Sequence, residues 1–167
     1  AIPARSEKFT IPGNENLSDD QKAIRIERFY QPFNAAVSAM LDEHSSIRAL
    51  VTVHSFTPRY HGKIRAVELG ILHDSDTQLA DAMLDCAPQV TRMQVERNEP
   101  YGPEHGVTHT LKAHGLERGL LNVMIELRSD HLSTEGDCKT VAAMLAELLQ
   151  AGFDACQVPD RAVGTSH

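Results

Sequence analysis

Aromatic residues are scarce in this 167-residue chain. They make up 5% of it and there is no Trp, so aliphatic side chains must fill most of any core. The hydrophobic share is nevertheless 41%, which excludes a disordered chain and favours a globular domain of ordinary size. No stretch of about 18 apolar residues occurs, so we expect no membrane-spanning helix.

Cysteine is also rare, and the number and spacing of the cysteines disfavour both a zinc-finger site and a disulfide framework. The three cysteines are Cys86, Cys138 and Cys156. None of them forms a C-x-x-C pair, so the sequence predicts no zinc-finger site. An odd number of widely spaced thiols fits a reducing, cytoplasmic environment better than a disulfide framework.

Basic residues are outnumbered by acidic ones, 16 to 23, which gives a formal net charge of −7 at pH 7. This charge disfavours nucleic acid and anionic membranes as partners. It does not disfavour an anionic small molecule, because a local arginine pocket can oppose the overall field. We therefore expect a small-molecule substrate, and the composition leaves the oligomeric state open.

The helical segments are marked by capping residues and by apolar residues at helical spacing. Ser18 and Gln21 have the spacing of a capping box, and Pro32 should kink the helix that follows. Three further helices are predicted, from Ser75, from Thr108 or Thr110 to Gly119, and over 137–151 with Gly152 after its end.

Strands alternate with these helices. Continuous apolar runs predict buried strands at 48–54, 66–72 and 120–128, with a shorter strand near 90–95. The alternation favours an α/β fold with a mixed, largely parallel sheet flanked by helices. We expect one α/β domain over residues 1–157 and a tail over 158–167.

His54 ends the first of these strands, in the segment VTVHSFTP. Chemistry in α/β sheets sits at the carboxyl ends of strands, where an imidazole can bind a metal ion. The competing interpretation is a structural histidine that is hydrogen-bonded to the next loop. Ser55 suggests a Ser–His nucleophile, but a G-x-S-x-G elbow is absent.

Glu126 is the most unusual residue of the third strand, in VMIELRSD. A carboxylate among apolar neighbours on a buried strand is costly unless it is paired or functional. It could be a general base, because burial raises the pKa of a carboxyl group toward neutrality. It could equally form a buried pair with Arg128, which lies on the same face of the strand.

Arg65 and the polar loop 98–115 supply candidates for substrate binding. A guanidinium can grip a carboxylate through two parallel hydrogen bonds, although most arginines in loops are simply solvated. The loop is long and rich in polar side chains, as functional loops are. Its histidines His109 and His114 are five residues apart, which is not the i,i+4 spacing of a paired metal site.

Taken together, these segments resemble the N-formylglutamate amidohydrolase family. Six separate blocks match in the family's order, and HSFTP and NEPYG are the most specific of them. The matching stretches are IPGNENLS (11–18), VTVHSFTPRYHGKIR (51–65), LGILHD (69–74), NEPYG (98–102), THTLKAHGLERGL (108–120) and IELRSD (125–130).

The resemblance implies a zinc carboxypeptidase-like fold, of the phosphorylase/hydrolase-like kind, and zinc as cofactor. His54 would be a metal ligand, and Glu126 would deprotonate the zinc-bound water and pass the proton to the leaving nitrogen. The implied reaction converts N-formyl-L-glutamate to L-glutamate and formate, a step of histidine degradation. The residues expected to contact the substrate are Arg65 for a carboxylate, Asn98 and Tyr101 for position, His109 or His114 for the oxyanion, and Arg128.

The chain also departs from the family pattern. Relatives carry an N-terminal segment with a further metal ligand before the IPGN stretch, whereas this chain begins AIPARSEKF without a start Met. We therefore expect the C-terminal two-thirds of the family domain, which would be metal-free and inactive by itself. The segment HGKIRAVELG lacks the Pro-Trp that often follows the Arg in relatives, so the acyl group accepted could differ.

Overall fold

A computed structural model of the chain describes residues 2–156. The chain divides into two compact units, the first formed by Ala1–Ser45 and Arg59–Lys63 and the second by Ser46–Pro58 and Ile64–His167. The single-domain expectation stays a prediction, because a division by contacts does not test independent folding. The predicted tail at 158–167 lies outside the described residues.

The first unit is built around an interrupted helix. Helix α1 (Asp19–Arg25) begins with the predicted capping box, in which Ser18 and Gln21 bond each other's backbone N–H groups. A π-helical turn over Ile26–Tyr30 then leads into α2 (Gln31–Glu43). Pro32 thus falls in the first turn of α2, where its missing N–H needs no intrahelical partner. The kink predicted at Pro32 stays a prediction, since the π-helical turn ends at Tyr30, before the proline.

Two small sheets complete this part of the chain. Strands β1 (Arg5–Ser6) and β2 (Phe9–Thr10) pair antiparallel, and β4 (Arg59–Tyr60) pairs with β5 (Lys63–Ile64). The loop between β4 and β5 is His61-Gly62, and both residues have positive φ, +47° and +78°. Two such residues form the turn that matches the twist of a hairpin.

The second unit contains the main sheet. Its strands are β3 (Ala49–Phe56), β6 (Leu69–Leu72), β7 (Val95–Arg97) and β8 (Leu121–Arg128), arranged in the order β3-β8-β6-β7. The pairs β3–β8 and β6–β7 are parallel and β6–β8 is antiparallel. The predicted mixed, largely parallel sheet is therefore confirmed. Strand β3 lies at an edge of this sheet. The prediction that it is a fully buried strand is therefore wrong.

One face of the sheet carries the main core. Alternate residues of β8 and β6 point to this face, where α3 (Gln78–Val90) and α4 (Glu135–Ala155) cover them. The helices contribute an inner stripe of aliphatic side chains, as predicted for both. The buried members of this core are Leu69, Ile71, Leu79, Ala80, Met83, Ala87, Val123, Ile125, Leu127, Val141, Leu145 and Leu148.

Two predicted helix ends are wrong. Helix α3 starts at Gln78 with Thr77 as its N-cap, and not at Ser75. Gly152 lies inside α4 and does not end it; a Cβ there would lie 2.7 Å from Cγ of Met83. The glycine is thus needed for close approach of two helices, which a C-cap pattern in the sequence does not distinguish. No helix among residues 2–156 is long and apolar enough to cross a bilayer.

The other face of the sheet is covered by the polar loop. A second cluster there joins Leu72 and Met124 to Leu111, with Tyr101 packed against it. Leu111 opens a π-helical turn, Leu111–Gly115, which is followed by a 3₁₀ turn that ends at Gly119 with φ +63°. The predicted short helix is thus present, but as a π-helical turn followed by a 3₁₀ turn rather than as an α-helix. π-helical turns occur frequently at functional sites.

Gly70 sets how closely the loop approaches the sheet. It is fully covered, and a Cβ on it would lie 1.9 Å from the carbonyl oxygen of Glu99. Because that oxygen belongs to backbone, it cannot swing away as a flexible side chain could. The absence of a side chain at position 70 therefore allows the segment NEPYG to lie directly on β6.

We expect Gly70→Ala to lower the free energy of unfolding by about 3 kcal/mol or more, because the loop must lift off the sheet. Urea unfolding followed by circular dichroism measures this. Gly136→Ala is the matched control, since the nearest atom to a Cβ there is 3.6 Å away; the helix gains up to about 1 kcal/mol from Ala. Equal stability of the two variants would contradict the close approach.

Candidate functional site

The register of the main sheet puts the two principal candidates side by side. His54 of β3 is the direct partner of Glu126 in the parallel pair β3–β8. Residues in register on neighbouring strands point to the same face, and the strands lie about 4.8 Å apart. His54 and Glu126 therefore point to the same face of the sheet, whereas their chemical roles stay predictions.

His54 is solvent-exposed near the carboxyl end of β3. No hydrogen bond to the His54 imidazole is found within residues 2–156. The alternative interpretation required such a bond, from a structural histidine to the next loop. Its ring is therefore available to a ligand rather than committed to the next loop. Ser55 is the next residue along the strand, so its side chain points to the opposite face.

Glu126 is buried, with 4% of its surface exposed, and its Oε2 atom has no hydrogen-bond partner in the described structure. Its neighbour on the other side is Gly70 of β6, which contributes no side chain. Burial raises the pKa of Glu126 to about 7, against a smaller lowering by the positive charge of Arg65. A carboxyl group of this kind exchanges protons near neutral pH.

Arg65 and Tyr101 contact each other, whereas their expected roles in substrate binding stay predictions. Arg65 Nη2 donates a hydrogen bond to the Tyr101 hydroxyl at 3.0 Å. The guanidinium carbon lies 5.0 Å from the centre of the Tyr101 ring and 5.3 Å from that of Phe56. Phe56 lies two residues after His54 on the same face of β3. The sequence reasoning missed Phe56, although it lies within the specific HSFTP stretch.

Arg128 does not pair with Glu126, so the predicted alternative of a buried Glu126–Arg128 pair is wrong. Its guanidinium instead bonds Glu68 at 3.1 Å and Asp130 at 2.9 Å. It also donates to the carbonyl oxygen of Arg65 at 3.1 Å. These bonds are all to protein groups, so they do not support the direct substrate contact expected for Arg128.

Asn98 is held in the left-handed region with φ +51°, and its side chain contacts the turn after β6. Its Oδ1 accepts a hydrogen bond from the backbone N–H of His73 at 2.9 Å. His73 is itself buried, and its Nε2 atom lies 3.0 Å from Nη1 of Arg97. Asn98 therefore fixes the start of the NEPYG segment, and its expected substrate contact stays a prediction.

His109 and His114 differ in their surroundings. His109 is exposed, whereas His114 is 3% exposed and lies in the π-helical turn that packs against β3 and β8. The next residue, Gly115, approaches Asn122 so closely that a Cβ would lie 2.8 Å from its Cβ. The side chain of Asn122 points to the same face of β8 as that of Glu126, and it lies about 13 Å closer to the start of the strand. The oxyanion role of either histidine stays a prediction.

The described residues do not form a complete metal centre. A catalytic zinc ion is held by about three protein ligands and a water molecule. Within residues 2–156 no group of three His, Cys, Asp or Glu side chains is placed to hold a metal ion. His54 supplies one imidazole, so this part of the chain does not fit a zinc ion by itself.

We expect Glu126→Gln to stabilise the protein at high pH. A folded-state pKa of about 7, above the ordinary 4.5, gives stability that is present below pH 4.5 and lost as pH rises through 7. The difference in unfolding free energy, variant minus wild type, should increase by about 3 kcal/mol between pH 4.5 and pH 8. Urea titrations at both pH values measure it, with the exposed Glu117→Gln as control. A difference that does not change with pH would show an ordinary pKa.

The chain is similar to known proteins in both sequence and structure. The sequence profile of the N-formylglutamate amidohydrolase family matches residues 1–133. The crystal structure of gene product Atu2144 from Agrobacterium tumefaciens is 47% identical, with a TM-score of 0.89, and the match covers 93% of this chain and 62% of that chain. The N-formylglutamate amidohydrolase from Ralstonia eutropha JMP134 is 16% identical, with a TM-score of 0.49, over 84% of this chain and 56% of that chain. No curated protein matches.

The chain therefore spans less than two thirds of the length of either solved structure. The profile match nevertheless runs through both principal candidates, His54 and Glu126, and through the whole main sheet. Since 133 of the 167 residues fall within it, the chain belongs to the N-formylglutamate amidohydrolase family.

Proposed function

We propose that the chain carries the acid–base and substrate-binding part of an amidohydrolase that converts N-formyl-L-glutamate to L-glutamate and formate, a step of histidine degradation. Family membership supports hydrolysis of an amide. The observation that carries the proposal is the buried carboxyl group of Glu126, with an unpartnered Oε2 and a pKa of about 7, on the same sheet face as exposed His54.

Glu126 performs the proton transfers. In its ionised form it takes a proton from the water that adds to the formyl carbon. It then gives this proton to the amide nitrogen as the C–N bond breaks, so that glutamate leaves as an amine and formate remains. A single carboxyl group can do both because its pKa lies close to the working pH.

Arg65 binds a carboxylate of the substrate. Its guanidinium is flanked by the rings of Phe56 and Tyr101, which restrict its orientation. Restricting an arginine before binding lowers the entropy lost when the substrate carboxylate is gripped. Its positive charge also acts on Glu126, so the carboxylate that it binds and the group that transfers the proton are neighbours.

Zinc dependence is part of the same proposal. His54 would supply one imidazole ligand, and the other ligands would have to come from residues outside 2–156 or from another chain. A bound zinc ion would polarise the formyl carbonyl and lower the pKa of a water molecule. We also propose cytoplasmic action, which rests on the cysteine pattern.

Two alternatives each have an observation in their favour. The missing Pro-Trp after Arg65 favours a related deacylase for another N-acyl amino acid. The incomplete metal centre favours a non-catalytic domain that binds small molecules. Turnover of N-acetyl- or N-succinyl-L-glutamate at least equal to that of the N-formyl compound would favour the first. Tight binding without turnover by the zinc-loaded protein would favour the second.

We expect Glu126→Gln to lower kcat about 10²- to 10⁴-fold in the protein expressed from its complete reading frame, because the proton acceptor is lost. Formate release measures this. The wild-type rate should rise with pH through about 7 as the carboxyl group ionises. Glu117→Gln removes an exposed carboxylate and should leave the rate unchanged. Full activity of Glu126→Gln would refute the assignment.

We expect residues 1–167 alone to retain well below one zinc ion per molecule after dialysis, because His54 lacks partner ligands among residues 2–156. Elemental analysis by mass spectrometry measures the metal. The comparison is between His54→Ala and His61→Asn, which removes another exposed imidazole and keeps a side chain that tolerates positive φ. One retained zinc ion, lost in the first variant and kept in the second, would show that the chain completes the site.

A further inference from the structure

Arg128 makes an unusual set of bonds at the end of β8. Its Nη1 donates to two successive backbone carbonyls, Arg65 O at 3.1 Å and Ala66 O at 3.3 Å. Its Nη2 donates to Oε1 of Glu68 at 3.1 Å, and its Nε donates to Asp130 at 2.9 Å. Only 15% of its side chain is exposed. One guanidinium therefore joins the segment that precedes β6 to the end of β8.

Glu68 is the fixed acceptor in this arrangement. Its Oε2 accepts a hydrogen bond from the backbone N–H of Gln94 at 2.8 Å, and its Oε1 lies 3.0 Å from Nε2 of His131. The backbone N–H of Arg128 also donates to the carbonyl of Glu68 at 2.9 Å. The Gln94 bond is the largest cause of the lowered pKa of Glu68. The carboxylate thus stays charged opposite Arg128.

The backbone of Arg65 is held at both ends by these contacts. Its N–H donates to the carbonyl of Pro58 at 2.9 Å, and its carbonyl accepts from Arg128. With both groups bonded, the Cα–Cβ direction of Arg65 is fixed relative to β3 and β8. That direction carries the guanidinium to Tyr101 and Phe56, on the proposed substrate side.

We propose that Arg128 is a positioning residue, which with Glu68 fixes the backbone of Arg65 and so presents the Arg65 guanidinium to a substrate carboxylate. The carboxylate-binding part rests on the proposed function, and the positioning part rests on the contacts alone. The bonds span 60 to 63 residues of sequence. They therefore act as a tertiary clamp and not as a local turn.

Lysine cannot replace Arg128 in this role. Its ammonium is a single point on a flexible stem, whereas the three nitrogen atoms of the guanidinium bond separate acceptors in one plane. Arg128→Lys keeps the charge and removes this geometry. Glu68→Gln is a second, independent variant, because it keeps the size of the acceptor and removes its charge. Arg92→Lys is the matched control, since Arg92 is exposed and lies outside these contacts.

The first measurement needs no substrate. In ¹⁵N relaxation of the Arg65 Nε–H group, we expect Arg128→Lys to lower the order parameter clearly, Glu68→Gln to lower it less, and Arg92→Lys to leave it unchanged. Urea unfolding is measured in parallel. Stability loss with an unchanged Arg65 order parameter would overturn the positioning role, because a purely structural arginine acts in that way. If Arg128→Lys does not fold, Glu68→Gln decides the question.

The second measurement concerns the ligand. In the zinc-loaded protein expressed from its complete reading frame, the Kd or KM for N-formyl-L-glutamate, measured by calorimetry or steady-state kinetics, should rise about 10- to 100-fold in Arg128→Lys, with kcat much less affected. Failure of the zinc-loaded wild-type protein, expressed from its complete reading frame, to bind or hydrolyse this compound would overturn the proposed function and leave the relaxation result to decide on positioning. An unchanged KM beside a mobile Arg65 would overturn its role in binding the carboxylate.

Discussion

The burial of the Glu126 carboxyl group is the constraint on which the rest of the site depends. A carboxylate with an unpartnered oxygen in an apolar strand costs several kcal/mol of solvation, and the positive charge of Arg65 offsets only part of this cost. The neighbour on one side is Gly70, which has no side chain, and the neighbour on the other is His54. The cost is tolerated because the opposite face of the same strand buries Val123, Ile125 and Leu127 completely or nearly so. Stability and chemistry are thus carried by alternate residues of one strand.

This separation of the two faces explains why no regular helix among the described residues covers the face of the sheet that carries Glu126. Helices α3 and α4 cover one face with aliphatic side chains, whereas the face with Glu126 is covered by loop and by a π-helical turn. A regular helix over that face would present a rigid apolar stripe to the carboxyl group. The loop instead brings Tyr101 to Arg65 and lets the backbone of Glu99 rest on Gly70. Loops on a rigid scaffold commonly carry function for this reason.

The sequence was sufficient for those features that depend on local periodicity and strand order. Three strands of the main sheet and the capping box at Ser18 follow from patterns within a few residues, whereas the strand predicted near 90–95 lies at Val95–Arg97. The shared face of His54 and Glu126 did not follow, because a shift of one residue in the pairing of β3 with β8 would put the two side chains on opposite faces. The exposure of β3 did not follow, because an apolar run reads the same in a central strand and in an edge strand. Gly152 was misplaced for a similar reason: its role depends on Met83, 69 residues earlier in the chain.

The two arginines show most clearly where sequence reasoning ends. Arg65 and Arg128 both border strands of the main sheet, and both carry the same planar donor group. Which of them meets solvent and substrate is decided by the acceptors that the fold brings to each. Arg128 meets a carboxylate and two backbone carbonyls from a segment about 60 residues away, and these engage its fork of donors. Arg65 meets two aromatic rings and the hydroxyl of Tyr101, which orient its guanidinium. Because a carboxylate ligand is gripped best by an arginine whose orientation is already restricted, the contacts favour Arg65 for recognition and Arg128 for support.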